Sequence, residues 1–584
     1  MSDAHLLITE NMDVWTTAIK KRSATGRGSN KKIELTGIKK LRGLVLELAV
    51  RGKLVPQDPN DEPASVLLEK IAAEKAQLIK DKKIKEANVL PEIRNSEKSF
   101  ELPVGWGFRR FIDVLDFSGG GQPPKSAFIE EKLAGYVQLI QIRDLGPYPQ
   151  PIYVPESKVS KFCTPQDVMI GRYGASVGKV FWGKDGAYNV ALIKIHNDHN
   201  VYFNGFIFNL MTSPLGQNLF SGISRSAQNG FSKNDIAPRV IPIPPLAEQH
   251  RIVAKVDELM ALCDQLEQQT EDSITAHQTL VETLLATLTS SENTEAFNQS
   301  WARIAEHFDT LFTTEHSIDQ LKQTILQLAV MGKLVPQDPN DEPASVLLEK
   351  IAAEKEQLIK DKKIKKQKPL PVISEDEKPF ELPSGWEWSR MGDLAQYQKG
   401  YAFKSKDYLD SGLMITKIQN LTDNHTQNSV FITPEKIVEF EQYLLIEGDI
   451  VMTTVGSWFS APISAVGRSF LINNLFDNSL LNQNAVRIKS LKDLDPMYLY
   501  LCVNSTIFKN YLVKEAQGTA NQASITQVSI KNYLICVPPK EEQHRIVKKV
   551  DELMILCDQL KSRISEAQTT QLNLADTLAK QVVT

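Results

Sequence analysis

A near-perfect internal repeat constrains this chain more than any other feature. Leu41–Lys85 and Leu321–Lys365 match at 38 of 45 positions, and Gly52–Lys75 is identical to Gly332–Lys355. A second pair, Glu248–Leu266 (EQHRIVAKVDELMALCDQL) and Glu542–Leu560 (EQHRIVKKVDELMILCDQL), matches at 17 of 19. The offset is 280 in the first pair and 294 in the second, so the intervening stretch is longer by 14 residues in the second half. Repetition at this fidelity means one structural unit used twice. The near-identical frames flank two blocks, about 106–244 and 386–538, that share little sequence. Two different readers on one duplicated scaffold suit a target made of two halves.

The frame reads as helix. From Ile252 the apolar residues run Val256, Leu259, Cys263 and Leu266. The second copy runs Ile546, Val550, Leu553, Cys557, Leu560, Ile564, Ala567, Gln571, Leu574 and Leu578. Steps of four and three alternate, the spacing of a coiled-coil seam. Each helix is expected to run about 40 residues, about 60 Å. A second helix is expected over Pro63–Lys85, after the turn-rich VPQDPNDEP. A long helix with a narrow apolar stripe needs a partner. The central frame holds both helix types, whereas each chain end supplies one. The economical arrangement brings the two ends together to rebuild the missing frame, giving a circularly permuted repeat with a pseudo-two-fold.

The expected division is therefore 1–99, an N-terminal helical region; 100–245, the first recognition block; 246–379, the central spacer; 380–539, the second block; and 540–584, the C-terminal helix. The fold class is α/β plus long α-helical coiled coil. Residues 102–245 carry 14 Lys/Arg against 10 Asp/Glu, and residues 386–540 carry 14 against 14, so the acid behind the net charge of −4 lies in the helical parts. That balance neither demands nor excludes DNA. Five cysteines at long spacings, with no CxxC pair, argue against disulfides and structural zinc. The N-terminus shows no cleavage pattern and no apolar run reaches bilayer length, so a cytoplasmic protein without membrane contact is expected.

Within the blocks, Gly135–Asp144, Val168–Tyr173 and Tyr188–Ile195 read as strands and Val201–Leu219 as helix. Their counterparts are Leu413–Gln419, Asp449–Thr454, Ala485–Ile488 and the helix Pro496–Leu512. The loops between carry base-reading chemistry: Gln and Asn pair bidentately with adenine, Arg and Lys with guanine, while Ser and Thr adapt to either. In the first block the candidates are Gln122, Lys125 and Ser126 in GGGQPPKS, Arg143, then Arg172, Tyr173, Ser176 and Lys179. Arg225, Gln228, Asn229 and Lys233 follow in SRSAQNGFSK. In the second block they are Lys399, Tyr401 and Lys404 in KGYAFK, Lys417 and Gln419, then Ser457 and Trp458. Gln517, Thr519, Asn521 and Gln522 complete the set.

Catalytic and metal signatures come up empty. Gly174–Lys179 is one residue short of a phosphate loop, and Val180 stands where Ser or Thr is needed. There is no Asp/Asn-Pro-Pro-aromatic motif. His196 and His199 lack a third ligand nearby. His250 and His544 fall at equivalent helix starts and are expected to be structural or interface residues rather than a catalytic pair.

The order of pieces resembles the specificity subunit of type I restriction-modification systems. The residues that carry the resemblance are LELAVRGKLVPQDPNDEPASVLLEKI from Leu46 and its copy from Leu326, FELPVGW and FELPSGW, and PPLAEQHRIVAKVDEL and PPKEEQHRIVKKVDEL. GGGQPP, QLIQIRDL and RYGASVGKV add to it. The resemblance implies two target-recognition domains joined by antiparallel helices, reading a bipartite, asymmetric site in double-stranded DNA. It implies partners: two modification subunits, which bring S-adenosylmethionine and methylate adenine, and restriction subunits, which bring ATP- and magnesium-dependent translocation and cleavage. No cofactor is expected on this chain itself. The second block departs from the pattern where ASVGK belongs, showing GSWFSAPIS instead. The basic stretch Lys20–Lys32 is expected to reach a partner or phosphates. A self-contained enzyme and a coiled-coil scaffold without DNA specificity are the competing readings.

Overall fold

A computed structural model describes residues 7–21, 33–81, 91–222, 230–291, 294–427, 429–458, 465–519 and 522–581. Six helices build the frame: α1 (Thr36–Val50), α2 (Ala64–Lys80), α3 (Leu246–Thr289), α4 (Glu315–Val330), α5 (Ala344–Lys360) and α6 (Lys540–Gln581). The described residues fall into two compact units. One takes the chain up to Ser273 together with the residues from Gln568 onward; the other takes Ile274–Ala567.

The first unit closes on its own chain ends. Lys40 on α1 pairs with Asp576 near the end of α6 at 2.5 Å and donates to the Leu572 carbonyl. Arg42, one turn on, bridges Asp264 and Glu267 of α3. The second unit makes the same contacts without a chain break. Gln320 on α4 bonds Glu282 of α3, while Lys322 pairs with Asp558 and Asp319 with Lys561 of α6. Ala575 and Val281 are equivalent, and both are fully buried. The end of α6 thus does in the first unit what the end of α3 does in the second, the permuted repeat expected from the sequence.

The duplicated residues fix the frame by the same bonds in both units. Arg251 forks onto Asp61 and Arg545 onto Asp341, each through two N–H groups. The FELPxGW segments end in Trp106 and Trp386, whose indoles donate to Glu248 and Glu542. Helices α2 and α5 start where Ala64 and Ala344 donate to the carbonyls of Gly105 and Gly385.

The apolar ladder needs one correction. Ile252, Val256, Leu259, Cys263, Ile546, Val550 and Cys557 are buried as expected. Beyond Ile564 the buried face moves on by one residue: Ala575 is buried, whereas Ala567 is exposed and Leu574 is 45% exposed. A helix of 3.6 residues per turn drifts off a strict heptad unless it supercoils throughout, and α6 follows the drift.

Each recognition block is mixed α/β. In the first, β1 (Asp116–Gly119), β2 (Tyr136–Ile140), β3 (Val168–Gly171), β4 (Gly186–Tyr188) and β5 (Leu192–His196) are the central strands. β5 lies antiparallel between β1 and β3, while β4 runs parallel to β2 in a separate sheet. The second block repeats this with β6 (Ala395–Lys399), β7 (Leu413–Thr416), β8 (Ile450–Thr453), β9 (Leu480–Leu481) and β10 (Ala485–Ser490). Each block is clasped at its base by an antiparallel pair, Gly107–Arg110 with Val240–Ile243 and Glu387–Arg390 with Leu534–Val537.

The continuous strand expected over Tyr188–Ile195 is two strands in two sheets. The helix expected over Val201–Leu219 is Asn204–Thr212 and Pro214–Asn218, and its counterpart is Pro496–Asn504 and Thr506–Glu515. Pro214 cannot donate to the preceding turn, and Ser213 caps the new start by accepting from Gly216. Ser505 does the same for Phe508.

Candidate nucleic-acid interface

The break between β4 and β5 organises the first recognition domain. Asn189, Val190 and Ala191 form a turn whose backbone ties together the candidate loops. Tyr188 and Leu192 accept from Gly121 and Gly120 of the opening loop at 3.0 and 3.1 Å. Asn189 donates to Ile140, which leads into Gln141–Leu145, and Ala191 accepts from Arg172 at 2.9 Å. The turn Asn482–Gln483–Asn484 makes the same four bonds in the second domain. Leu481 and Ala485 accept from Tyr401 and Gly400, Asn482 donates to Thr416, and Asn484 accepts from Thr454. Both opening loops need glycine here: a Cβ at Gly120 would sit 2.2 Å from the Asn189 carbonyl, and one at Gly400 1.8 Å from that of Asn482.

This pattern aligns the two readers position by position. Gln141-Ile-Arg-Asp-Leu145 corresponds to Lys417-Ile-Gln-Asn-Leu421, and the backbone N–H groups of Gln141 and Lys417 are capped by Asp144 and Asn420. Arg143 and Gln419 are therefore equivalent, and both are exposed. Arg172 and Thr454 are equivalent as well.

The loops after β3 and β8 overturn one expectation. The second block keeps the ASVGK element, as Ser464-Ala-Val-Gly-Arg468, displaced by a longer loop. Gly178 and Gly467 both adopt a left-handed φ, +80° and +77°, and both donate back to the strand end, Gly171 and Thr453. Val177 and Val466 are buried beneath them. Arg468 thus stands where Lys179 stands in the first domain, lying over the Phe470 ring at 5.1 Å. The longer loop puts GSWFSAPIS at the spacing where ASVGK falls in the first block, so Arg468 is hidden from alignment at fixed spacing.

The remaining candidates sort by their surroundings. Gln122, Lys125, Ser126 and Lys404 are exposed on the opening loops, Lys399 is exposed at the end of β6 that leads into the second, and Ser176 is half-buried. Lys233 pairs with Asp116 at 2.5 Å, and the Arg172 guanidinium lies over Tyr173 and donates to the Phe231 carbonyl. Tyr401 packs against Phe403, Phe440 and Tyr443, so much of its ring serves the fold. Lys417 lies over the Tyr408 ring, and Trp458, next to the half-buried Ser457, packs on the core of its unit. The loop expected over Gln517–Gln522 is a hairpin, Gln517–Thr519 with Gln522–Ser524, and Gln517 and Gln522 are exposed on it. Arg225, Gln228, Asn229 and Asn521 lie outside the described residues, as do Ser464 and most of Lys20–Lys32, and of Thr519 only the backbone is described.

Beneath the first turn, Ser118 Oγ lies 2.9 Å from the Tyr188 hydroxyl and 2.7 Å from His196 Nε2. Burial pushes the Tyr188 phenol above its ordinary range, with the Ser118 contact opposing, so it stays protonated. Asp116, the carboxylate beside this trio on β1, is engaged by Lys233. Among the described residues, no group of three His, Cys, Asp or Glu side chains is placed to hold a metal, and no helix is long and apolar enough to cross a membrane.

The profile of the type I restriction modification DNA specificity domain matches twice, over residues 103–276 and 383–568. The chain belongs to the type I restriction-modification specificity family. The type I restriction enzyme EcoAI specificity subunit of Escherichia coli is 43% identical, with 98% of each chain covered. The EcoEI specificity subunit of the same species is 41% identical, again over 98% of each. A chain from a solved structure of a type I R-M system is 18% identical over 83% of this chain and 99% of its own, with a TM-score of 0.48. In this specificity subunit each matched region holds one mixed α/β domain and the first part of the long helix that follows it, α3 in the first and α6 in the second.

Proposed function

We propose that each recognition domain reads one half of a bipartite, asymmetric site in double-stranded DNA. The frame helices set the gap between the halves and dock two modification subunits, through which restriction subunits join. S-adenosylmethionine, ATP and magnesium belong to those partners. This chain contributes specificity and no catalysis, and it works in the cytoplasm.

One observation carries the reading. The two domains share the four backbone bonds that tie the central turn to its neighbouring loops but differ in the side chains there: the exposed Arg143 against the exposed Gln419, and the exposed Lys179 against the half-buried Arg468. A fold kept constant while its exposed polar residues change is what two readers of different sequences require, because base edges distinguish Arg from Gln partners. Phosphate contacts would come from the lysines of the opening loops.

The test is adenine-methylation mapping of DNA from cells that express this chain with its modification subunit. A new motif of two short half-sites around a fixed gap supports the reading. An assembled complex that yields no new motif moves the chain to the scaffold alternative.

A further inference from the structure

At the tip of the central turn stand Val190 in the first domain and Gln483 in the second, flanked by backbone that bonds to three neighbouring segments. The residues on either side bond to the opening loop, to the segment carrying Arg143 or Gln419, and to the loop after β3 or β8. The tip side chain therefore emerges where three candidate loops converge. The turn separates what the fold needs from what it does not. Its first residue is asparagine in both domains, Asn189 and Asn482. Its last residue in the second domain, Asn484, adopts a left-handed φ of +67°, which asparagine tolerates better than most side chains. The last position also differs, Ala191 against Asn484, but there the left-handed backbone accounts for the asparagine; the tip changes from an apolar β-branched residue to an amide, with Val190 half-buried and Gln483 exposed.

We propose that this tip is a base-reading position of both domains, filled by Gln483 in one and Val190 in the other. The inference rests on the reading of the two domains as DNA readers. Gln483 offers the paired donor and acceptor that match adenine N6 and N7, whereas the methyls of Val190 suit the thymine C5-methyl.

Methylation mapping with Q483A and V190Q, each assembled with the modification subunit, tests it. Q483A is expected to relax one base pair in one half-site, raising methylation at sites with a wrong base there by about tenfold. The other half and the gap stay fixed. V190Q alters only the opposite half. The melting temperature of each variant stays that of the parent. An unchanged motif from both variants overturns the proposal, and so does a change in both halves from one substitution. A marked fall in melting temperature also overturns it, since the tip would then serve the fold. If the parent chain itself yields no two-part motif, the reading of the domains fails first and this proposal falls with it.

Discussion

Glu248 accepts the indole N–H of Trp106 at 2.9 Å and the Gln57 amide at 2.7 Å, and Glu542 repeats the pair with Trp386 and Gln337. Both carboxyls are buried at the start of a long helix, 1% exposed. Replacing Glu248 with Ala leaves the buried Trp106 indole N–H without its acceptor, while the exposed Gln57 amide keeps its bond to the Gly52 carbonyl. Such a loss costs about 1–3 kcal/mol, so E248A and E542A should each lower the urea midpoint. A midpoint equal to the parent's would remove the carboxyls from the set of contacts that hold the frame.

The same residues make stability depend on pH. Burial raises both carboxyls above the ordinary value of 4.5, against the opposing pull of the tryptophan and glutamine hydrogen bonds. A group with a raised folded pKa binds more protons folded than unfolded in the window just above 4.5. Its contribution is complete below that window and is lost as pH rises through the raised folded value. E248Q/E542Q should therefore flatten the fall in stability on going upward from pH 4.5. Unfolding curves at stepped pH check this, and identical slopes in parent and variant would contradict it.

Arg143 and Gln419 hold equivalent exposed positions, so each should act on its own half-site. R143A is expected to lose about 1–3 kcal/mol of discrimination at one base pair of one half, and Q419A the same at one base pair of the other. Competition binding of the assembled complex to half-site variants measures this. Equal loss in both halves from one substitution would rule out the equivalence.

How much of this was legible in the sequence depended on whether the information was local. The frame was readable because Gly52–Lys75 recurs unchanged and its helical spacing is local. The meeting of Lys40 with Asp576 followed from counting which helix each chain end lacks. The central turn was not readable. Tyr188–Ile195 is apolar enough to read as a single strand, and only pairing of Tyr188 with β2 and of Leu192 with β3 divides it. The asparagines at 189, 482 and 484 were the available signal, since they favour turns. Arg468 was hidden because its loop is longer than that of Lys179, and fixed spacing fails across an insertion.

Gly120 and Gly400 let the opening loop touch the turn. A Cβ at either would meet backbone carbonyl oxygen, which cannot swing aside as a side-chain end does. G120A should therefore displace the loop carrying Gln122 and Lys125 and weaken reading of the first half-site, with the second unaffected. G400A should do the reverse. Methylation maps in which either substitution leaves its half-site intact would show that the loop does not depend on the turn.

The gap between half-sites is the last expected consequence of the frame. Helix α3 runs unbroken from Leu246 to Thr289, at about 1.5 Å per residue. Inserting four residues near Thr270–Thr287 lengthens it by about one turn while keeping its buried face nearly in register. The recognition loops are untouched by this change. The insertion should therefore alter the preferred gap and preserve both half-sequences in the methylation motif. Inserting two residues instead rotates the downstream apolar face by roughly half a turn. That strips Val281 and Leu285 from their packing, so the two-residue variant should lose stability rather than change the gap. An unchanged gap in the four-residue variant, with the complex assembled, would mean that the spacing is set elsewhere than along α3.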